Sequence, residues 1–370
     1  MKRVIGLLLI FLVAACQPRP PEKVRGQGED KGPHSSDTLS KWVRSNAAHF
    51  WSEMRTGSGL EPYLQFQGVI AGDPHLANFG WAAVSLANGE RALRYLNVDF
   101  DDAGRGPFVL DFLRLVTTTR ATQRKVATTL MVDAYIRGLA GDEMPMPPEL
   151  TEWDLPRYEA KALKEIGQHT KGDRLVKGEA AVERYDGPIK LDEVASLLPE
   201  AKLLDLARRL VDEGGSRGGL RLWVLGKASG QPRLYELKEF RAPAVASYAS
   251  QPERSAWLAE IQAAFWPGID PRGYTLNEIQ GKAYWIREKR PPVIDIPYAN
   301  DKKAAVALVR HLAEYDAYLL GRAHGRQSPE LAHLLDDPDE HQAFAGAIHA
   351  AAIQYLRKAE GLAVDGSTSK

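Results

Sequence analysis

Two short loops constrain this chain more than anything else in it: GDPHLANFG at residues 72–80 and VDFDDAGRGPFVLD at residues 98–111. Each gathers oxygen-bearing side chains directly after an apolar stretch. The stretches themselves, YLQFQGVI (63–70) and ALRYLNVDF (92–100), are rich in the β-branched and aromatic residues that fit a pleated, half-buried surface, so both are expected to be strands. Asp73, His75 and Asn78 then emerge at one strand end and Asp99, Asp101 and Asp102 at the other, where rigid elements hold loop residues in place. Two such loops can share one cation. Mg²⁺ prefers a few oxygen ligands together with phosphate oxygens to a full protein cage, so one Asp, one Asn and a bound phosphate would suffice.

A second informative stretch is GGSRGGLRLWVLGKASGQPRLYELKEF, residues 214–240. Gly214, Gly215, Gly218 and Gly219, with Ser216 among them, precede an apolar strand over 220–225. After a Gly-rich turn comes a second strand, 233–240, carrying Lys238. A glycine-rich hairpin lets backbone N–H groups approach phosphates closely, and a lysine on the next strand supplies a point charge to them.

The five-position interval from Asp73 to Asn78 is that of the kinase catalytic loop, in which Asp accepts the substrate proton and Asn holds metal. GDPHLANFG resembles the HGDxHxxN loop of aminoglycoside and choline phosphotransferases, and VDFDDAGRGPFVLDFLRL resembles their IDFxDAGxGxxxxDLA segment. That resemblance implies that Asp111 opens a helix and braces the catalytic loop from behind. It also places the helix over 252–265 where kinases carry the Glu that pairs with the strand Lys, which makes Glu260 or Glu253 the candidates. Residues 274–287 read as a hairpin, EKRPP resembles a hinge, and the helix over 301–324 ends in GRAHGR, much like the helix before the catalytic loop of small-molecule kinases.

In a usual kinase these parts come before the catalytic loop, whereas here they follow it. Reading residues 210–326 first and 60–140 second restores the register, as a circular permutation would; nearby termini make permutation physically cheap. One family resembles this arrangement closely. The bacterial domain-of-unknown-function family 2252 carries a GDxHxxNFG loop, an NDFDE-like segment with GPxxxDxxRL, a GxGSxG hairpin with K-E-A, and a helix ending in A-H-A-R. The corresponding stretches are GDPHLANFG, NVDFDDAG with GPFVLDFLRL, GGSRGG with Lys238 and Glu239, and GRAHGR. Departures are Asp102 as the acidic residue after an NDFD interrupted by Val98, shifted hairpin glycines, and K-E-F in place of K-E-A.

The chain begins MKRVIGLLLIFLVAAC, two cations and an apolar run too short to span a bilayer comfortably, and this reads as a secretory signal. VAAC resembles a bacterial lipobox, which would make Cys16 an acylated N-terminus. Cys16 is the only cysteine, so no intramolecular disulfide can form. Gln17 at the following position suggests, by resemblance to sorted lipoproteins, the periplasmic face of the outer membrane. Residues 17–37 hold Pro, Gly and charge with almost nothing to bury and read as a flexible tether. Forty-eight Lys and Arg balance 48 Asp and Glu, so the remaining chain is expected to be globular, with no electrostatic reason to bind nucleic acid.

Elsewhere the periodicity predicts a capped amphipathic helix over 36–54, one or two helices over 108–139 and another helix over 191–213, while the charged, less periodic residues 150–188 read as a helical connection or insert. The expected fold is α+β, kinase-like and two-lobed with permuted element order. A lobe carrying the acidic loops would span 38–189, a Gly-rich β-lobe 190–290, and C-terminal helices 291–370 would pack back on the first lobe.

The expected chemistry is phosphoryl transfer to an unknown hydroxyl, on a small-molecule or envelope substrate. Asp73 would orient or deprotonate the acceptor, with His75 as a further participant. Asn78 and Asp99 would hold Mg²⁺ or Mn²⁺ with Asp101 in reserve, and Lys238 with the glycine backbone would bind the phosphates of ATP or another donor. An ATP-poor compartment argues for two alternatives: an inactive kinase-like scaffold that binds an envelope partner, or a metal-dependent hydrolase using Asp73, His75 and Asp99.

Overall fold

Residues 36–55, 59–176, 182–210, 219–251, 254–270, 274–298 and 300–368 are described by the computed structural model. The chain is α+β. Helices α1 (Ser36–Ser45) and α2 (Ala47–Met54) lead to β1 (Gln67–Ile70), the hairpin β2 (Phe79–Ser85) and β3 (Arg91–Asn97), and then β4 (Gly104–Pro107). Helices α3 (Phe108–Thr122), α4 (Thr128–Ala140), α5 (Pro148–Thr151) and α6 (Leu155–His169) follow, with short strands β5 (Thr170–Lys171), β6 (Arg174–Leu175) and β7 (Val182–Arg184). After α7 (Leu191–Ala195) come β8 (Ala201–Arg209), β9 (Arg221–Ala228), β10 (Gln231–Glu239), α8 (Arg254–Phe265), β11 (Tyr274–Ile279) and β12 (Lys282–Glu288). Helices α9 (Lys303–Gly325), α10 (Pro329–Leu335) and α11 (Pro338–Thr368) complete the chain.

Six strands form one antiparallel sheet in the order β11-β12-β10-β9-β8-β7. Its edge strand β7 begins at Val182, so the sheet draws in chain from before residue 190. Two two-stranded ribbons, β1–β4 and β2–β3, carry the acidic loops. The main core lies among the helices: Phe108, Phe112, Leu113 and Val116 of α3 pack with Met131 and Tyr135 of α4, Leu312 and Leu320 of α9 and Phe344 of α11. Helix α3 is buried on nearly every side, as a central core helix must be. Helices α4 and α9 cross so closely that a Cβ at Gly321 would lie 2.1 Å from the backbone oxygen of Tyr135.

Several boundaries differ from the sequence reading, each for a local reason. The first strand starts only at Gln67, because Pro62 sits in a 3₁₀ turn, Glu61–Tyr63, that buries Tyr63 against Phe344. The next strand stops at Asn97, whose side-chain oxygen accepts the Asp99 N–H at 3.1 Å and turns the chain. The N-terminal helix is broken at Asn46, whose amide donates back to the Trp42 carbonyl at 2.7 Å.

Residues 191–213 are not one helix. Among its described residues only Leu191–Ala195 is helical, and Ala201–Arg209 pairs with β9 as a strand. A register irregularity between Leu203 and Asp205 interrupts the two-residue alternation that would have marked it. The stretch 150–188 contains the expected helix, α6, but also β5, β6 and β7.

Candidate functional site

The first acidic loop rests on the opening turns of α3, where Asp111 and Arg114, three residues apart, face the same side. Asp111 accepts the Ala71 N–H at 2.9 Å and the Gly72 N–H at 2.8 Å. Its Oδ2 also meets His324 Nε2 of α9 at 3.2 Å, and His324 Nδ1 lies 2.8 Å from the Tyr135 hydroxyl. The carboxylate can only accept, so Nε2 carries the proton and Nδ1 accepts from the tyrosine. Gly72 has φ +78°, and a Cβ there would sit 1.8 Å from the Asp102 carbonyl oxygen, so the two acidic loops touch backbone to backbone at a position only glycine fills. Trp51 Nε1 donates to the Gly72 carbonyl at 2.5 Å.

Asp73 is held by one residue the sequence reading did not single out. Arg114, fully buried, directs both Nε and Nη2 at Asp73 Oδ1, each at 2.8 Å, and donates a further bond to the Val43 carbonyl at 2.9 Å. Its guanidinium lies 5.4 Å from the centre of the Phe50 ring. Asp73 Oδ2 faces His75 Nε2 at 3.8 Å. Burial pushes the His75 imidazole down to about 4, against the Asp73 charge that pulls the other way, so the ring is neutral near pH 7. Asn78 donates its side-chain amide to the Asp73 carbonyl at 2.9 Å, which leaves its amide oxygen for a ligand.

The second loop is tied to the first where the Val98 N–H donates to the Asn78 carbonyl at 2.8 Å. Arg287 Nη1 and Arg290 Nη2 both donate to the Val98 carbonyl, at 2.9 and 2.8 Å. Phe100 packs between Phe265 and Trp266, and Trp266 Nε1 donates to the Asn97 carbonyl at 2.8 Å. Asp102 turns away from the cluster to accept the Ala244 N–H at 2.8 Å, and burial together with the Asp73 charge raises it to about 7.

Lys238 reaches this cluster from β10, an inner strand flanked by β9 and β12. Its Nζ lies 3.7 Å from Asp99 Oδ2 and is ion-paired with Asp101. Glu236, two residues earlier and hence on the same face, pairs with Arg287 at 2.8 Å and with Arg221 at 3.4 Å. Burial would raise Asp99, but Lys238 foremost, then Arg287, Arg290 and Arg221, hold it well below the usual carboxylate range.

Asp73, His75, Asn78, Asp99, Asp101 and Lys238 therefore share one neighbourhood. Glu260 does not join them: it pairs with Arg105 in an exposed contact, because α8 presents it to β4 rather than to β10. Lys238 takes Asp99 and Asp101 as its acidic partners instead. Gly214, Gly215, Ser216 and Gly218 lie outside the described residues, as do Cys16, Glu253 and the segments read as signal and tether; Gly219 is described and directly precedes Leu220, whose N–H is accepted by Glu239 at 2.9 Å.

Arg114, His324 and Arg287 are the site's unforeseen members. Arg114 stood in the quoted GPFVLDFLRL motif and His324 in GRAHGR, but spacing alone does not reveal what either touches.

Among the described residues no group of three or more His, Cys, Asp and Glu side chains is poised to hold a metal ion, and no helix is long and apolar enough to cross a membrane. The site offers two carboxylates and the Asn78 amide. Asp99 Oδ1 and Asp101 Oδ1 are buried and accept no hydrogen bond from the described residues. Hard oxygen donors of that number suit a divalent cation that completes its shell with phosphate oxygens, so the residues fit Mg²⁺ or Mn²⁺ in company with a phosphate-bearing ligand.

No curated protein and no solved structure matches the chain. Residues 41–127 and 124–361 match a bacterial family, and those two segments contain every one of the site residues just described. The chain belongs to the family described as an uncharacterized protein conserved in bacteria, DUF2252.

Proposed function

We propose that the chain is a kinase-like phosphotransferase that binds a phosphate donor with Mg²⁺ or Mn²⁺ and passes a phosphoryl group to an acceptor hydroxyl. The observation that carries this reading is the meeting of Lys238 with Asp99 and Asp101, groups more than 130 positions apart that a phosphoryl-transfer site must bring together. The strand run β8, β9, β10 supports it, since Lys238 lies on the third strand of that run, as the lysine of protein kinases does, with α8 the next α-helix in the chain.

In the proposed step the acceptor oxygen forms a new bond to phosphorus while the bond from phosphorus to the donor's leaving oxygen breaks. The hydroxyl proton passes to Asp73. Arg114 engages Oδ1 and leaves Oδ2 as the oxygen that faces the acceptor. Lys238 neutralises donor phosphate charge. A bound divalent cation would supply further neutralisation from Asp99, Asp101 and Asn78. We place the protein on the bacterial envelope through a lipid on Cys16, where ATP is scarce, which favours a different phosphate compound as donor over ATP or another nucleotide.

A thermal-shift comparison tests this. Nucleotide with Mg²⁺ or Mn²⁺ is expected to raise the Tm of the wild type and to leave folded Asp99→Ala unshifted, because a ligand stabilises only the state that binds it. Equal shifts in both proteins overturn the assignment. A shift with metal alone would favour hydrolysis, and none with any donor would favour a scaffold.

A further inference from the structure

Lys238 occupies the position between Asp99 and Asp101 that a divalent cation bound there would share. Resting on the phosphotransferase reading, we infer that the Lys238 ammonium is a built-in stand-in for the metal. Metal enters tightly only together with a phosphate-bearing ligand that draws the amine off the two carboxylates.

Three observations lead there. First, the carboxylates are too few for a metal cage, so protein oxygens alone hold a divalent ion weakly. Second, cations already stand beside the carboxylates: Arg287 Nη1, whose guanidinium also pairs with Glu236, lies 3.8 Å from Asp99 Oδ1, and Arg290 is anchored on the neighbouring Val98 carbonyl. A doubly charged ion placed beside these guanidiniums and an ammonium is repelled in a poorly screened, buried setting. An anion arriving with the metal removes that repulsion and gives the amine a new partner.

Third, the two sides differ in mobility. The acidic loop is pinned by the Asn97 turn, by Trp266 and by the Val98 bonds, whereas Lys238 ends in a flexible four-carbon stem on a fixed strand. The amine is the part that can move. Asp99 and Asp101 stay where they are, and exchange of ammonium for metal needs one side chain to swing toward the phosphate.

The test is Mn²⁺ titration of the full-length protein, followed by loss of the free-ion electron-spin-resonance signal. Wild type is expected to bind Mn²⁺ alone weakly, and Lys238→Gln and Lys238→Met to bind it at least about tenfold more tightly, as expected when a competing charge is removed. Adding Asp99→Asn to Lys238→Gln should abolish the gain. In wild type, inorganic phosphate should raise Mn²⁺ affinity by about tenfold and have little effect in Lys238→Gln. Circular dichroism confirms that each variant is folded, and the wild-type phosphate arm needs no variant at all.

If Mn²⁺ binds wild type with phosphate but the Lys238 variants gain nothing, the stand-in idea fails and the phosphotransferase reading survives. Absence of Mn²⁺ binding in every protein, with and without phosphate, overturns both.

Discussion

Arg114 Nε and Nη2 converge on a single oxygen of Asp73, each at 2.8 Å, with the guanidinium wholly buried. Replacing Arg114 by Met strands a carboxylate that is itself almost fully enclosed. The expected cost is about 3–5 kcal/mol in urea unfolding, the range for breaking a buried pair from one side. Arg114→Lys should recover only part of it, since one ammonium cannot reproduce a planar fork that also serves the Val43 carbonyl.

The chain Asp111–His324–Tyr135 predicts a coupling. Tyr135→Phe removes one hydrogen bond and should cost about 1 kcal/mol, while His324→Leu also leaves the Tyr135 hydroxyl stranded and should cost about 2–4 kcal/mol. In the double variant the hydroxyl is gone, so its loss is expected to be smaller than the sum of the two single losses, read from a double-mutant cycle.

His75 gives the pH dependence a sign. Its folded value, about 4, lies below the ordinary 6.5, so the unfolded chain binds the extra proton first as acidity increases. The contribution is present in full above about pH 6.5 and is lost as pH falls through about 4, at most about 3 kcal/mol. Unfolding free energies of wild type and His75→Gln, compared across that window, should converge toward acid by this amount. Parallel curves would place the titration elsewhere.

Gly321→Ala puts a methyl 2.1 Å from the Tyr135 carbonyl oxygen, which belongs to helix backbone and cannot turn aside. Helices α4 and α9 must separate. A loss of at least about 2 kcal/mol is expected, and because His324 follows on the same helix, its bond to Asp111 should loosen too, seen as faster amide exchange at Gly72.

Much of the candidate site's geometry was legible because its polar residues stand in contiguous runs. Asp73 with Asn78, Asp99 with Asp101, and Lys238 one residue before the end of β10 each carried local signals, and the structure brings them together. What escaped depends on distant packing. Arg114 sits inside an apolar helix, where an arginine gives no hint that its partner lies 41 positions upstream. β8, AKLLDLARR, has helix-forming residues and an irregular register, so its pairing with β9, not its own sequence, decides its form. Glu260 followed the kinase pattern in sequence, yet α8 presents it to Arg105 of β4.

The bond between Asp111 and His324 joins residues 213 positions apart, with the whole six-stranded sheet threaded between them. During synthesis the first acidic loop therefore emerges long before the helix that props it exists. Such far-apart pairings fold slowly. A ribosome-bound chain ending anywhere before α9 should leave residues 71–72 unprotected against protease, with protection gained only once α9 itself is released.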